Sequence, residues 1–306
     1  MKRGILVLAY GGPNKPEDIE PFYTDIRRGR PPTKELLDEL TERYAMIGGS
    51  SPILKITGDQ ANGIEAAFDG AYKTYIGMRH WEPWIPEAMA DMQADGIEEV
   101  VAIVMAPHYS KMSIGKYFGI VDKYLEEHPE WQVKINKVDS WHTHPKFIEA
   151  CANKIATAFE KFSAEEKEEV MMILSAHSLP VRIREWNDPY ESQLQETSKL
   201  IAEKLNHKKW MWAFQSEGRT PEPWLGPDIC KVMEELHEQG ENKIVSYPIG
   251  FICDHLEVIF DIDIEAGDIA KKNNMQLVRA ESLNDDATLI AAFKDIITAE
   301  FAKFDA

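Results

Sequence analysis

The sequence contains little cysteine. Only Cys151, Cys230 and Cys253 occur in 306 residues, they lie far apart, and no C-x-x-C pair is present. Disulfide frameworks and structural zinc or iron–sulfur sites need clustered cysteines. We therefore predict none of these, and we expect the three thiols to be reduced residues of the core or the surface.

Basic residues and long apolar runs are also scarce. The chain has 34 Lys and Arg against 52 Asp and Glu, a formal net charge of −18, which argues against a nucleic-acid or anionic-membrane surface. No segment approaches the roughly 20 apolar residues that span a bilayer. The apolar run at 5–9 is shorter than the core of a signal peptide. We expect a cytoplasmic protein without membrane insertion and without a nucleic-acid partner.

Three widespread catalytic signatures are missing as well. The sequence has no Walker A pattern, no G-x-G-x-x-G and no G-x-S-x-G. Nucleotide-binding, dehydrogenase and serine-hydrolase functions therefore receive no support.

Short apolar, β-rich segments alternate with longer amphipathic segments, which predicts an α/β protein with mostly parallel sheets. Eight candidate strands form two sets of four, at 5–9, 73–77, 100–106 and 133–138 and then at 171–175, 210–214, 243–248 and 276–279. This pattern predicts one unit used twice, over residues 1–145 and 146–285. A helical crossover is expected at 146–161, and a final helix within 286–306 is expected to join the first unit.

Polar side chains follow four of these strands. Ligands of doubly wound sheets bind outside the carboxyl ends of the strands, where the chain carries "AYGGP", "APHYS", "SAHSLP" and "PIGFICDHLE". His177 ends one strand, while His255 and Glu257 follow another. An imidazole and a carboxylate suit a borderline divalent metal such as Fe(II), and either can accept a proton. A histidine that is satisfied by backbone groups is the structural alternative.

The segment "CDHLEVIFDIDIE" at 253–265 fits two secondary structures. With a period of two it is a strand, and with a period near 3.6 it is a helix that stacks Glu257, Asp261 and Glu265 at i, i+4 and i+8. Because "KIVSYPIG" already supplies a strand just before it, we predict the helix. Like charges at this spacing destabilise a helix by roughly 0.2 to 0.5 kcal/mol per pair, which favours a bound cation over a solvated acidic face.

One basic loop stands out in the acidic chain. "YTDIRRGRPP" brings Arg27, Arg28 and Arg30 together, and Arg43 and Tyr44 follow. Because arginine pairs bidentately with carboxylate or phosphate, this loop could hold an anionic ligand. A solvated loop explains the same residues.

Taken together and in order, these segments resemble the ferrochelatases, which insert Fe(II) into a porphyrin. The matching segments run from about residue 4 to 265 and are "LAYGGP", "YTDIRRGR", "RYAMIGGSSPI", "APHYS", "SAHSLP", "QSEGRTPEPWLGPD" and "DHLEVIFDIDIE". The likeness is greatest to the short, soluble enzymes of Gram-positive bacteria that act on coproporphyrin III.

The resemblance implies a chelatase-like fold of two Rossmann-like lobes, each with a four-stranded parallel sheet and flanking helices, and a cleft between the lobes for the macrocycle. It assigns the handling of the metal to the SAHSLP histidine, His177, and to the DHLE glutamate, Glu257. Tyr10 would approach from the opposite face, axial to the product iron. Porphyrin-binding side chains are expected at Arg27, Arg43, Tyr44, Ser51 and Tyr117, at His80, and at Trp224, whose indole offers a flat apolar surface.

The same resemblance gives the acidic stretch a role. Asp261 and Glu265, behind Glu257, would form a second cation site, a ladder for arriving iron or for a bound Mg²⁺. The mitochondrial type of the family carries an iron–sulfur centre, and no such cluster is expected here because the cysteines are not clustered.

Coproporphyrin has four propionates and protoporphyrin only two, so an arginine-bearing cleft favours coproporphyrin III as the substrate, with ferrous iron. We expect a monomer that makes transient contacts with neighbouring haem-pathway enzymes. Three alternatives stay open: a protoporphyrin IX ferrochelatase, a non-catalytic porphyrin or haem carrier on the same scaffold, and a cobalt or nickel chelatase that acts on another tetrapyrrole.

Overall fold

The computed structural model describes all residues from Met1 to Ala306. The chain forms two compact units. Unit 1 comprises Met1–Pro107, Met112–Trp141 and Asn284–Ala306, and unit 2 comprises His108–Lys111 and His142–Leu283. The sequence pattern predicts a boundary at residue 146, with the segment His108–Lys111 in the first half; in the structure this segment packs within unit 2.

Unit 1 contains a four-stranded parallel sheet. Its strands are β1 (Arg3–Ala9), β2 (Lys73–Met78), β3 (Glu99–Val104) and β4 (Lys134–Val138), in the order β2-β1-β3-β4. The central strands β1 and β3 are almost continuously apolar because helices cover both faces of a parallel sheet. The helices of this part of the chain are α1 (Ile19–Ile26), α2 (Lys34–Met46), α3 (Ile53–Ala67), α4 (Ile85–Ala94) and α5 (Ile114–Glu127).

Unit 2 repeats the arrangement. Its strands are β5 (Met171–His177), β6 (Trp210–Gln215), β7 (Lys243–Tyr247) and β8 (Gln276–Arg279), all parallel, in the order β6-β5-β7-β8. Its helices are α6 (Pro145–Phe159), α7 (Tyr190–Leu205), α8 (Ile229–Glu238), α9 (Leu256–Val258) and α10 (Gly267–Lys272). The last helix, α11 (Ala287–Ala302), belongs to unit 1.

All eight predicted strands are present, and the two four-stranded parallel sheets with flanking helices are confirmed. The predicted ends differ by a few residues. The strand predicted at 100–106 ends at Val104, whereas the strand predicted at 171–175 continues to His177 and therefore includes the histidine. None of the helices combines the length and the apolar character that crossing a membrane requires.

The segment after β7 is helical, as predicted, but its period is not 3.6. After the short helix α9, residues Ile259–Ala266 form a π-helix, and α10 continues from it. The side chain of Ile262 lies in a core cluster with Ile173 of β5 and Ile244 of β7. Burial of such a side chain stabilises the fold by about 1.5 to 3 kcal/mol, which fixes this acidic segment against the sheet.

Candidate active site

His177 is the last residue of β5, and two contacts fix its orientation. Its Nδ1 atom donates a hydrogen bond to the carbonyl oxygen of Ser178, and the hydroxyl of Tyr190 donates to the carbonyl oxygen of His177 at 2.9 Å. The other ring nitrogen, Nε2, lies 3.5 Å from Oε1 of Glu257. The structure therefore brings together the histidine and the glutamate that the sequence analysis paired.

Glu257 reaches this position because the chain after β7 passes close to the end of β5. A Cβ atom at Gly250 would lie 2.7 Å from Cβ of Ala176, so only glycine allows this approach. His255 then caps α9, since its Nδ1 accepts a hydrogen bond from the backbone N–H of Val258 at 3.2 Å.

Gln215, at the end of β6, fixes the same turn from another side. Its Nε2 donates to the carbonyl oxygen of Glu257 at 2.5 Å, and its Oε1 accepts from the Ser175 hydroxyl at 2.8 Å. Gln215 is fully buried. Because the oxygen and the nitrogen of this buried amide are both hydrogen-bonded, Gln215 connects the ends of β5 and β6 to the backbone of Glu257 and holds it in place.

His177 and Glu257 form an ion pair. Burial opposes protonation of His177, but the carboxylate of Glu257, the carbonyl oxygen of Ser178 and the charge of Asp261 outweigh it and raise the imidazole pKa to about 9. At neutral pH the pair is an imidazolium beside a carboxylate. Such a pair can bind a divalent cation once the imidazole proton leaves, and Glu257 can take up a proton from a ligand.

Asp261 lies behind this pair on the π-helix and is 6% exposed. Burial raises its pKa to about 7; the hydrogen bond from the Ser216 hydroxyl opposes the shift, and the charges of Glu257 and Glu265 add to it. Glu265 lies further along the π-helix and is exposed. Among the 306 residues, no group of three or more His, Cys, Asp or Glu side chains has the geometry to hold a metal ion.

Trp224 lies beside the segment that follows His177. Residues 223–225 pair with residues 179–181: Trp224 forms an antiparallel bridge with Pro180, and Leu225 N–H donates to the Leu179 carbonyl at 2.8 Å. The Ser178 hydroxyl adds a bond of 2.7 Å to the Leu225 carbonyl. The indole is partly exposed, so it can offer a flat apolar surface.

Within unit 1, Tyr10 follows β1 and is 38% exposed. The ring of His80 lies 4.6 Å from its ring, between centroids. The guanidinium of Arg79 lies over the rings of both Tyr10 and Tyr117, at 6.0 and 5.6 Å, and Tyr117 is buried. Three predicted residues therefore form one cluster with Arg79 at its centre.

His80 is held by a carboxylate. Its Nδ1 donates to Oδ2 of Asp25 at 2.7 Å, so Nε2 is the ring nitrogen that takes no part in this bond. Burial lowers the pKa of His80, and Asp25 opposes this shift. The His80 imidazole therefore favours its neutral form more than an unperturbed histidine does.

The remaining predicted residues of unit 1 lie on α1, α2 and the loop before α3. The backbone N–H of Ser51 donates to the carbonyl oxygen of Pro13 at 2.8 Å, and a Cβ atom at Gly12 would lie only 2.6 Å from Cβ of Ser51. Arg43 pairs with Glu39 at 3.0 Å, and Tyr44 beside it is buried.

Arg27 caps the end of α1. Its Nε donates to the carbonyl oxygen of Arg30 at 3.2 Å, and its guanidinium lies 5.6 Å from the ring centroid of Tyr23. The predicted basic loop is thus partly ordered by its own arginines, and Arg28 and Arg30 are exposed.

Several residues that shape these sites are not predicted from the sequence. Arg79, Gln215 and Ser216 stand at or next to strand ends, a position that could have identified them. The others carry no local signal: Asp25 and Tyr190 contact the predicted residues His80 and His177, and Arg279 bonds to Asp254 and Asp263 of the segment that carries Glu257.

Comparison with known proteins assigns the chain to a family. The family model described as Ferrochelatase matches residues 2–301. A ferrochelatase of Deinococcus radiodurans is 42% identical over 305 residues, which are 98% of this chain and 96% of the relative. A coproporphyrin III ferrochelatase of Bacillus subtilis is 41% identical over 310 residues, 99% of each chain.

Solved structures give the same fold at much lower identity. The structure described as SirB from Bacillus subtilis with Fe3+ aligns with a TM-score of 0.65 and 13% identity, over 100% of this chain and 98% of that one. This likeness concerns the fold alone, whereas the family match and the 41–42% identities extend over nearly the whole sequence. The chain therefore belongs to the ferrochelatase family and is a metal chelatase, a lyase.

Proposed function

We propose that this ferrochelatase inserts Fe(II) into coproporphyrin III and releases iron coproporphyrin, coproheme. The observation that carries the proposal is the contact of His177 with Glu257, 3.5 Å apart at the carboxyl ends of the unit 2 sheet. The choice of porphyrin is supported by relatives named coproporphyrin III ferrochelatases, at 41 and 42% identity, and by the arginines of unit 1.

Insertion of a metal into a porphyrin releases two pyrrole protons and requires a metal that has lost water. Glu257 and His177 are the proposed acceptors and iron ligands. Glu257 is the better first acceptor, since the raised pKa of His177 means that its imidazole already holds a proton at neutral pH. Transfer of that proton to solvent would free Nε2 for the iron.

Tyr10 is the proposed axial contact to the iron of the product. Its ring is partly exposed, and the guanidinium of Arg79 lies 6.0 Å from its ring centroid. His80 stands next to Tyr10, with 4.6 Å between the two ring centroids, and is proposed to contact the same face of the porphyrin.

The arginines are proposed to hold propionates. Arg27 and Arg43 present guanidinium groups on α1 and α2, and Tyr44, Ser51 and Tyr117 complete the porphyrin surface of unit 1, as Trp224 does in unit 2. Pairs of arginine and carboxylate that are exposed to solvent contribute about 0.2 to 1 kcal/mol each. Four propionates use more such bonds than two.

The acids behind Glu257 are proposed to attract the cation. Mg²⁺ binds through one or two carboxylates and keeps several water molecules, so Asp261 and Glu265 can form a second cation site although no three side chains converge on one point. Iron on its way to Glu257 would meet the same charges.

The test is an anaerobic assay of the purified chain with Fe(II) and either coproporphyrin III or protoporphyrin IX, followed by the loss of porphyrin fluorescence. Glu257→Gln and His177→Ala are expected to lower kcat by about a hundredfold or more. Glu196→Gln is the matched control, since Glu196 pairs with His142 at 3.0 Å in the same unit, and it should keep normal turnover.

Each outcome of this assay is informative. Porphyrin binding without turnover in the unaltered chain would identify a porphyrin carrier. Equal turnover of both porphyrins would refute the preference for coproporphyrin, and faster insertion of cobalt or nickel than of iron would point to a different chelatase. Normal turnover in both site variants would refute the roles of His177 and Glu257.

A further inference from the structure

We propose that Arg279 is a positioning residue for Glu257: its guanidinium ties the chain before Glu257 to the π-helix after it and so sets the place of the carboxylate opposite His177. The inference rests on the proposed function of Glu257. Arg279 is the last residue of β8, and its guanidinium bonds to Asp254 and Asp263.

The guanidinium of Arg279 contacts two carboxylates. Its Nε and Nη2 donate to the two oxygens of Asp263 at 2.7 and 2.9 Å, a bidentate pair, and its Nη1 donates to Oδ1 of Asp254 at 3.0 Å. Ser282 adds a bond of 2.8 Å from its hydroxyl to the same Asp254 oxygen. The Arg279 side chain is only 17% exposed, so these bonds are more sheltered than surface ion pairs.

The two carboxylates flank Glu257 in the sequence. Asp254 precedes α9, and Asp263 lies within the π-helix. One side chain thus joins the entry and the middle of the segment that carries Glu257. Any sliding of this segment along the sheet would have to break at least one arm of the guanidinium fork.

The segment needs such a tie because its own backbone is irregular. α9 spans only Leu256–Val258, and the π-helix that follows uses i→i+5 hydrogen bonds, which occur mostly as single turns in proteins. Gln215 holds the carbonyl oxygen of Glu257 from the side of β6, and Arg279 holds the segment from the side of β8. Glu257 lies between these two attachments.

Lysine cannot replace this geometry. Its single ammonium could pair with Asp263 or with Asp254, but it lacks the planar fork that donates to both. Arg279→Lys therefore keeps the positive charge and loses the bridge, whereas Arg279→Gln loses both. A displacement of about 1 Å at a reacting group can cost as much as a hundredfold in rate.

The experiment measures kcat and KM for the Arg279→Lys and Arg279→Gln variants and, in parallel, hydrogen exchange of the backbone amides of residues 255–266. Arg3→Gln is the control for lost stability, since Arg3 pairs with Glu99 at 2.9 Å and is 18% exposed. Arg184→Lys is the control for a lost bidentate pair, since Arg184 donates to both oxygens of Glu191 at 2.7 Å.

We expect Arg279→Lys to lower kcat about tenfold and to leave the KM for the porphyrin within about twofold. Exchange should rise in residues 255–266 and stay unchanged elsewhere. Asp263→Asn should lower kcat similarly, and the Arg279→Gln, Asp263→Asn double variant should be no slower than Arg279→Gln alone, because both changes remove one bridge.

Normal kcat in Arg279→Lys, or a loss no larger than that of the two controls, would overturn the positioning role. So would exchange that rises over the whole of unit 2, since this would mark general destabilisation. The proposed function fails separately: it fails if Glu257→Gln is fully active, while the exchange of residues 255–266 reports on Arg279 without any turnover.

Discussion

Nε2 of His177 lies 3.5 Å from Oε1 of Glu257, although one residue ends β5 and the other lies on the short helix after β7. The parallel sheet explains the contact, because β5 and β7 are hydrogen-bonded neighbours whose carboxyl ends lie at the same edge. The contact also sets the protonation state of the pair. A histidine that burial alone would keep neutral is held as an imidazolium by the adjacent carboxylate.

The first prediction concerns the pKa of His177. In the unaltered chain an NMR titration of its imidazole should give a pKa of about 9. In Glu257→Gln the attraction that opposes burial is largely gone, so the pKa should fall by more than about one unit. Glu196→Gln should leave the value unchanged, and a pKa that stays near 9 in Glu257→Gln would show that Glu257 is not its cause.

The second prediction concerns the pH dependence of stability. The pKa of Asp261 is about 7 in the folded chain, whereas the ordinary pKa of an aspartate is 3.8. The folded state therefore binds the proton more tightly than the unfolded state. The free energy of unfolding should therefore decrease as the pH rises from about 4 to about 7, on the order of 3 to 4 kcal/mol from this group.

Asp261→Asn removes the titrating proton and keeps an oxygen that can accept the bond from Ser216. Urea unfolding at several pH values should show a flatter dependence in this variant and higher stability than the unaltered chain at pH 8. The exposed Asp268, replaced by Asn, is the control and should leave the slope as it was. A slope that survives in Asp261→Asn would contradict the burial argument.

The sequence predicted the sheets well because their signal is local. The strand β3 is entirely buried, and its apolar run Val100–Val104 can be recognised without any knowledge of its neighbours. The acidic segment at 253–265 shows the limit of prediction from a local pattern. Its helical character was predicted, but the π-helix Ile259–Ala266 was not, because a period near 3.6 was assumed.

The supporting residues were less predictable for a related reason. Arg279, at the end of strand β8, bonds to Asp263 and Asp254. Asp25, in helix α1, bonds to His80. An arginine at the end of a strand or an aspartate in a helix can play many structural roles, so its position alone indicates none of them. Their partners are set by the packing of distant elements, which no pattern within one segment records.

The third prediction concerns the proposed second cation site. In a titration with Mg²⁺ alone, followed by calorimetry, binding should strengthen as the pH rises through about 7, because the cation competes with the proton on Asp261. The Asp261→Asn, Glu265→Gln double variant should bind Mg²⁺ about tenfold more weakly and bind coproporphyrin III within about twofold of normal. Equal loss of both ligands would refute a separate cation site.

The last prediction concerns the selection of the porphyrin. Arg27 and Arg43 are proposed to hold propionates, and each pairing exposed to solvent contributes about 0.2 to 1 kcal/mol. The Arg27→Gln, Arg43→Gln double variant should therefore lower kcat/KM for coproporphyrin III by about tenfold and lower it less for protoporphyrin IX, which has two carboxylates fewer. The loss should shrink at high salt, since screening weakens such pairs in the unaltered chain.

Arg184→Gln, which removes an exposed arginine of unit 2, controls for the change in net charge. If the double variant lost the same fraction of kcat/KM on both porphyrins, these arginines would serve binding in general, and the preference for four propionates would have to come from other side chains.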